Sequence, residues 1–312
     1  MRTITKLLLS SMLLMNGAVA LAHSEGGVVH KDFFKGMKKD DKAAILMVHF
    51  GTTFDDTRAL TIDRINDKVK KEFKGIEVKE AYTSRIIMRR LKERGVVKLN
   101  PQEVLDQLKA EGYTHVLVQG TNVMNGVESE HLRSEVASYE DSFKDIRVGA
   151  PLLTDPHDYE EVAKAIADKI GPLKENQGVV LVGHGTHHFG GSAYAMMDYV
   201  FSAEGYENYA VGTVEGYPTF DNVVKKLKDR GIKDVILMPF MFVAGDHAQN
   251  DIAGDWNQEL QKAGFTVSKV ILMGLGQNEA IQNIYVDHIK FMTQHEPVDM
   301  AAKKVQYSNE KD

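Results

Sequence analysis

Hydrophobic residues along this chain fall in short unbroken blocks, and the sharpest is Val179-Val180-Leu181-Val182. A run without polar alternation, three of its four residues β-branched, predicts a strand buried on both faces, as in a parallel sheet. It stops abruptly at Gly183-His184-Gly185-Thr186, where glycines remove side-chain bulk and let the backbone turn. Similar blocks predict strands over Ala43 to Phe50, Ile76 to Tyr82, His115 to Gln119, Ile146 to Ala150, Tyr209 to Val214, Val235 to Val243 and Val267 to Met273. Between them the apolar spacing turns helical. Ile62, Ile65 and Val69 share a face within Asp56 to Phe73, and Ile86 to Arg94 forms a basic helix. Pro101 opens a further helix that buries Val104, Leu105 and Leu108 and stops at Gly112. Tyr159 to Ile170, Val223 to Gly231 and Ile281 to His295 complete the set. Strands alternating with helices predict an α/β protein.

The plan repeats. Leu181-Val182-Gly183-His184-Gly185-Thr186 echoes Met47-Val48-His49-Phe50-Gly51-Thr52, and Val223 to Leu237 echoes Val104 to Val118. The expected architecture is two pseudo-repeated Rossmann-like domains, each a four-stranded parallel sheet flanked by helices, with a cleft between the lobes. The first spans residues 23–160 and the second, carrying the chemistry, 161–312. Residues 1–22 are set apart as a secretory signal. Arg2 and Lys6 precede an apolar core, Leu7 to Met15, and Ala20-Leu21-Ala22 fits the small-x-small cleavage pattern. Cleavage before His23 makes the mature protein periplasmic, and no later segment is long and apolar enough to span a bilayer. His23 to Asp41 reads as a loose polar arm with His23 and His30 solvated.

Composition narrows the chemistry. The chain has 312 residues, 43% of them hydrophobic, no cysteine and a formal charge of −6, which becomes −8 once Arg2 and Lys6 are lost. Disulfides, thiolate metal sites and a cysteine nucleophile are excluded. The acidic balance argues against nucleic acid. No phosphate-binding Gly-x-x-x-x-Gly-Lys-Ser/Thr and no Gly-x-Ser-x-Gly elbow occur, so neither nucleotide use nor a serine hydrolase is expected. Histidine and carboxylate remain as metal ligands, a set suited to divalent Zn, Co, Fe or Ni.

In open α/β sheets ligands bind beyond the carboxyl ends of the strands. Three predicted strands of the second half end in such ligands: His184, Glu215 in Glu215-Gly216-Tyr217-Pro218, and His247 in Gly245-Asp246-His247. The matching ends of the first half offer Phe50, Thr83 and Asn122 to Val127, so the first half carries no expected ligand. His187 and His188 lie close to the site, and an N-cap role for Asp246 is compatible with ligation by His247. Arg58 and Arg85 are cationic residues beside the first two strand ends, where they could meet substrate carboxylates. Arg89, Arg90 and Arg94 share the basic helix. Phe50, Phe54, Tyr82, Phe189, Tyr194 and Phe242 could line a flat apolar cleft.

These motifs, together with Val48-His49-Phe50-Gly51-Thr52, Thr57-Arg58, Ala81-Tyr82-Thr83-Ser84 and Pro239-Phe240-Met241, resemble the anaerobic-pathway cobaltochelatases of CbiK type, relatives of the class II ferrochelatases. The resemblance covers essentially the whole mature chain. It implies a bilobal chelatase that inserts Co2+, with Fe2+ as the alternative, into the tetrapyrrole sirohydrochlorin without ATP. His184 and His247 would hold the metal with Glu215 beside them, and one of these three would take the pyrrole proton. Phe50, Arg58, Thr83 and Arg85 would meet the macrocycle. The export signal departs from this pattern, since corrin synthesis is normally cytoplasmic. The rival reading is a periplasmic carrier of metal or haem without turnover. Bound haem and a homo-oligomer are compatible with either.

Overall fold

The structure, a computed structural model, describes residues 27–246, 248–297 and 304. The expected signal segment and His247 lie outside the described residues. Residues Gly36–Met292 form one compact unit, and the described parts of the two chain ends, up to Lys35 and from Thr293, form another.

In chain order the strands are β1 (Val28–His30), β2 (Ala43–His49), β3 (Glu77–Tyr82), β4 (His115–Gly120), β5 (Asp145–Val148), β6 (Gln177–Gly185), β7 (Tyr209–Glu215), β8 (Asp234–Pro239), β9 (Thr266–Val270) and β10 (His295–Pro297). The helices are α1 (Asp55–Leu60), α2 (Ile62–Glu72), α3 (Arg85–Glu93), α4 (Pro101–Ala110), α5 (Val127–Ala137), α6 (Pro156–Ile170), α7 (Ser192–Ala203), α8 (Phe220–Asp229), α9 (Asn257–Lys262) and α10 (Glu279–Gln294). A wide π-type turn, Ala248–Trp256, leads into α9.

Two four-stranded parallel sheets carry the compact unit, one ordered β3-β2-β4-β5 and the other β7-β6-β8-β9. The internal repeat is therefore visible in topology. In each sheet the chain lays down the second strand on one side of the first and the third on the other. The unbroken apolar runs follow from burial on both faces. On β2, Ala44, Leu46 and Val48 pack with Val104, Leu105 and Leu108 of α4 and with Leu132 and Val136 of α5. On β6 and β8, Val180, Val182, Val235 and Leu237 pack with Val223 and Leu227 of α8, with Trp256 and with Leu260 of α9. Caps define the helix starts. Asn100, Asp155 and Thr219 each complete a capping box, and proline follows directly in α4 and α6.

Two expectations are corrected. The helix read over Asp56 to Phe73 is two helices, broken at Thr61, whose φ of −124° and ψ of −76° are not helical. The Thr61 hydroxyl donates to Thr57 O at 2.5 Å, a back-bond to the preceding turn of the kind that bends helices. The arm after His23 is not uniformly loose, because β1 pairs antiparallel with β10 and Phe33 is buried. The last helix serves the first sheet. The buried Tyr285 hydroxyl of α10 donates to Thr121 O and Asn122 O at 3.2 and 3.0 Å, and Arg147 of β5 donates to Met292 O at 2.7 Å. Among the described residues no helix is long and apolar enough to cross a membrane.

Candidate active site

In the second sheet the strand order reverses direction between β6 and β8, so their carboxyl ends flank the crevice where α/β sheets take ligands. His184 is the last residue but one of β6. Two close approaches require its glycine neighbours. A Cβ on Gly183 would lie 2.2 Å from the Tyr194 ring, and one on Gly185, whose φ is +84°, would lie 1.5 Å from the Glu215 carbonyl oxygen. The β6 and β7 ends therefore meet backbone to backbone at this point, and Glu215 is drawn against His184.

His184 Nδ1 lies 3.1 Å from Gly185 O and 3.5 Å from Glu215 Oε1. A carbonyl and a carboxylate both accept, so Nδ1 carries the proton and the lone pair falls on Nε2, the arrangement of a metal-binding histidine held by a carboxylate. Both side chains remain near half exposed, at 44% and 50%. Below Glu215, the Thr213 amide and hydroxyl both donate to Pro218 O at 2.9 Å, which pins the turn that presents the carboxylate.

The second flank continues past β8. Phe240 N–H donates to Val182 O at 2.7 Å. Phe242 is locked by Gly274 and Gly276, stacks on His49 at 6.3 Å and meets Tyr285 edge-on at 5.6 Å. Ala244 O accepts the Thr57 hydroxyl at 3.3 Å. The chain is thus fixed up to the residues before His247, whose own placement lies outside the described residues. Among the described residues no three His, Asp or Glu side chains gather to hold an ion; His184 and Glu215 are the pair brought together.

The first half holds a different histidine. His49 is buried one residue before Phe50, opposite the position Gly183 takes in the second half. Its Nε2 lies 3.0 Å from Asn66 Oδ1 and its Nδ1 3.0 Å from Thr121 Oγ1. The amide oxygen fixes the proton on Nε2, and Asn66 in turn donates to Glu80 at 2.9 Å. Burial pushes the His49 pKa down to about 4, so this imidazole is a neutral part of the core.

Of the residues expected to meet substrate, Phe50 is 50% exposed at the end of β2, and Thr83 is half-buried with its amide on His49 O at 2.9 Å. Arg85 is exposed at the first position of α3, with Ser84 as N-cap and no acidic residue in that turn. Arg58 is engaged elsewhere, on Asp55 at 3.0 Å and Asp63 at 3.3 Å. Arg94 is likewise held, by Asp55 and by Thr53 O. Of the aromatic set, Phe50, Phe54 and Phe189 are exposed, whereas Tyr82, Tyr194 and Phe242 are buried. These three are core, because glycine backbone at 51, 183 and 276 packs directly on their rings. His188 lies 3.2 Å from Glu130 of α5 and accepts the Gly190 amide at Nδ1, so it ties this loop to the first half. His187 is exposed.

A family model described as cobalt chelatase (CbiK) matches residues 43–294. The sirohydrochlorin cobaltochelatase of Salmonella typhimurium is 34% identical over 268 residues, covering 84% of this chain and 99% of that protein. The chain belongs to the cobalt chelatase (CbiK) family. A second relative, the sirohydrochlorin cobaltochelatase CbiKC of Nitratidesulfovibrio vulgaris, is 32% identical over 256 residues, 80% of this chain and 89% of its own. Among solved structures, SirB from Bacillus subtilis with Fe3+ superposes with a TM-score of 0.59 at 18% identity, over 81% of this chain and 96% of that one. That likeness shows the chelatase fold.

Two contacts of this CbiK-family chain had no signal in the sequence. Thr57 links the first half to the loop before His247, and Arg94 braces the loop after β2 through Asp55. Thr57-Arg58 stood out as a motif, but nothing in it told which partner the hydroxyl takes.

Proposed function

We propose that this chain inserts Co2+ into sirohydrochlorin, the reaction for which its relatives are named. The observation that carries the reading is the His184–Glu215 pair at the carboxyl ends of β6 and β7, beside the switch point of the second sheet, in a chain of the CbiK family. His184 Nε2 takes the ion while Glu215 and Gly185 O hold the protonated Nδ1. His247, from the loop after β8, is the second imidazole. Two nitrogen ligands suit Co2+, and equally Fe2+, while leaving positions to be exchanged for the macrocycle nitrogens. As the ion enters, two pyrrole N–H protons leave and the metal dication replaces them, so charge balances without an electron or a nucleotide. Glu215, half exposed and beside the ion, is placed to accept a proton.

The carboxylates of the substrate call for cations. Arg85 supplies one, and the amino end of α3 adds positive potential to it. Arg58, paired with Asp55 of α1 and Asp63 of α2, braces these two helices instead. Phe50 offers an exposed aromatic face, and Thr83 stands next to it on the adjoining strand end. Export to the periplasm belongs to the same proposal and is supported by Arg2, Lys6, the apolar Leu7 to Met15 and Ala20-Leu21-Ala22.

The test offers sirohydrochlorin with Co2+, Fe2+ or Ni2+ and follows the absorption spectrum. Many turnovers per chain with Co2+ are expected. A spectral change that stops at one equivalent would replace the enzyme with a carrier, and no change would overturn both readings.

A further inference from the structure

The two short strands at the chain ends place two histidines side by side. His30 of β1 stands directly opposite His295 of β10. The next pair along is hydrogen-bonded, Lys31 N–H donating to Gln294 O at 2.8 Å. Antiparallel pairs alternate in type, so His30 and His295 form a non-hydrogen-bonded pair, the kind whose side chains approach most closely. Their ring centroids are 5.5 Å apart with planes at 74°, an edge-on arrangement. His30 is exposed and His295 half-buried. The neighbouring Lys31 and Glu296 point to the other face of the ribbon, where they pair at 2.5 Å.

We propose that His30 and His295 form a second site for a divalent transition ion, separate from the chelatase centre, and that the ion fastens the two terminal strands. Imidazole nitrogens bind Ni2+, Cu2+ and Zn2+. With metal–nitrogen distances of about 2.0–2.1 Å and a ring centre roughly 1.1 Å beyond each nitrogen, a tetrahedral ion sets two imidazole centres about 5.2 Å apart. The observed separation of 5.5 Å is close to that value. Two protein ligands, with water in the remaining positions, make this a weaker and more exchangeable site than a three- or four-ligand centre. Strands of three residues hold a two-stranded ribbon only marginally. An ion that binds only when the strands are paired shifts that equilibrium toward pairing.

The experiment uses the full chain carrying His184→Ala and His247→Ala, which removes the proposed catalytic ligands, and titrates it with Ni2+ by calorimetry. One Ni2+ per chain is expected, with affinity falling at least tenfold when either His30→Asn or His295→Asn is added. A companion measurement uses the same background: substoichiometric Ni2+ should perturb the imidazole NMR signals of His30 and His295 together. No binding in the double-alanine background, binding unchanged by both asparagine variants, or loss in only one of them would overturn the shared site. Because the tested background lacks His184 and His247, the result stands apart from where the substrate metal binds.

Discussion

Replacing Gly185 by alanine should separate the metal site from the fold that builds it. The residue sits at φ +84°, a conformation that costs an L side chain about 1–2 kcal/mol. The new Cβ would fall 1.5 Å from Glu215 O, so the ends of β6 and β7 must part by roughly 2 Å to restore ordinary contact. That breaks the ladder locally, at about 1 kcal/mol for one backbone hydrogen bond. The sum, about 2–3 kcal/mol, predicts a fall in melting temperature of roughly 4–12 °C for a unit of this size. The same displacement pulls Glu215 off His184 Nδ1. A half-exposed ion pair at 3.5 Å contributes about 0.2–1 kcal/mol, so Co2+ affinity should drop by up to about fivefold. Gly51→Ala is the matched control. It occupies the equivalent turn of the first sheet at φ +100°, and its Cβ would meet the buried Tyr82 ring at 2.5 Å. Overpacking there adds about 1–3 kcal/mol to the backbone cost, so its melting temperature should fall comparably. Its Co2+ affinity should not change. Calorimetric titration with Co2+, run below both melting transitions, measures the difference. Wild-type affinity in folded Gly185→Ala, or an equal loss in Gly51→Ala, would refute the role assigned to the β6–β7 contact.

Single changes His184→Ala and His247→Ala should each abolish most Co2+ insertion while thermal unfolding stays nearly unchanged, and the double variant should be little worse than the poorer single one. Insertion at the wild-type rate in both would remove them from the site. His288 of α10 lies 3.0 Å from Asp158 and 3.2 Å from Ala150 O, two acceptors that together need both ring protons. Burial lowers its pKa, but the Asp158 contact and the Ala150 carbonyl outweigh this and the net shift is upward. The raised folded value means its stabilisation is complete below the unfolded pKa of about 6.5 and fades as pH rises through the folded value. Chemical denaturation should therefore show the stability gap between wild type and His288→Gln narrowing as pH rises above about 6.5; a gap that widens would contradict the ion pair. Mass spectrometry of the soluble protein from its native host should find His23 first, and an intact Met1 terminus would end the export proposal.

Much of this was readable in the linear pattern. The run Val179 to Val182 announced a doubly buried strand because both faces of β6 are covered, and nothing polar could interrupt it. The repeat was readable because Gly51 and Gly185 answer the same backbone demand, a turn in the left-handed region at a strand end. His184 and Glu215 stood out for the same reason, since strand ends place side chains near one another without needing knowledge of long-range packing. Other features depended on partners that no local pattern encodes. An aromatic residue near a strand end is as compatible with core as with cleft, and Tyr82, Tyr194 and Phe242 went to the core because glycine backbone leaves room for them. Arg58 looked like an anion anchor until Asp55 and Asp63 were found around it. Thr61 sits inside a good helical pattern, and only its hydroxyl on Thr57 O broke the helix. The pairing of β1 with β10 joins strands at opposite ends of the chain, too short to announce themselves.

The return of α10 to the first sheet bears on how the chain is made. Ribosomes release the first four-stranded sheet roughly 130 residues before the helix that seals it, a delay of about 7–26 s at 5–20 residues per second. Until Tyr285 arrives, the carbonyls of Thr121 and Asn122 lack their phenolic donor, and Phe242, itself a late residue, is not there to stack on His49. The first sheet therefore gains these native contacts only after the second half has been made. Two sheets of the same strand order thus share one compact unit, and the second half of the chain supplies the helix that completes the first sheet.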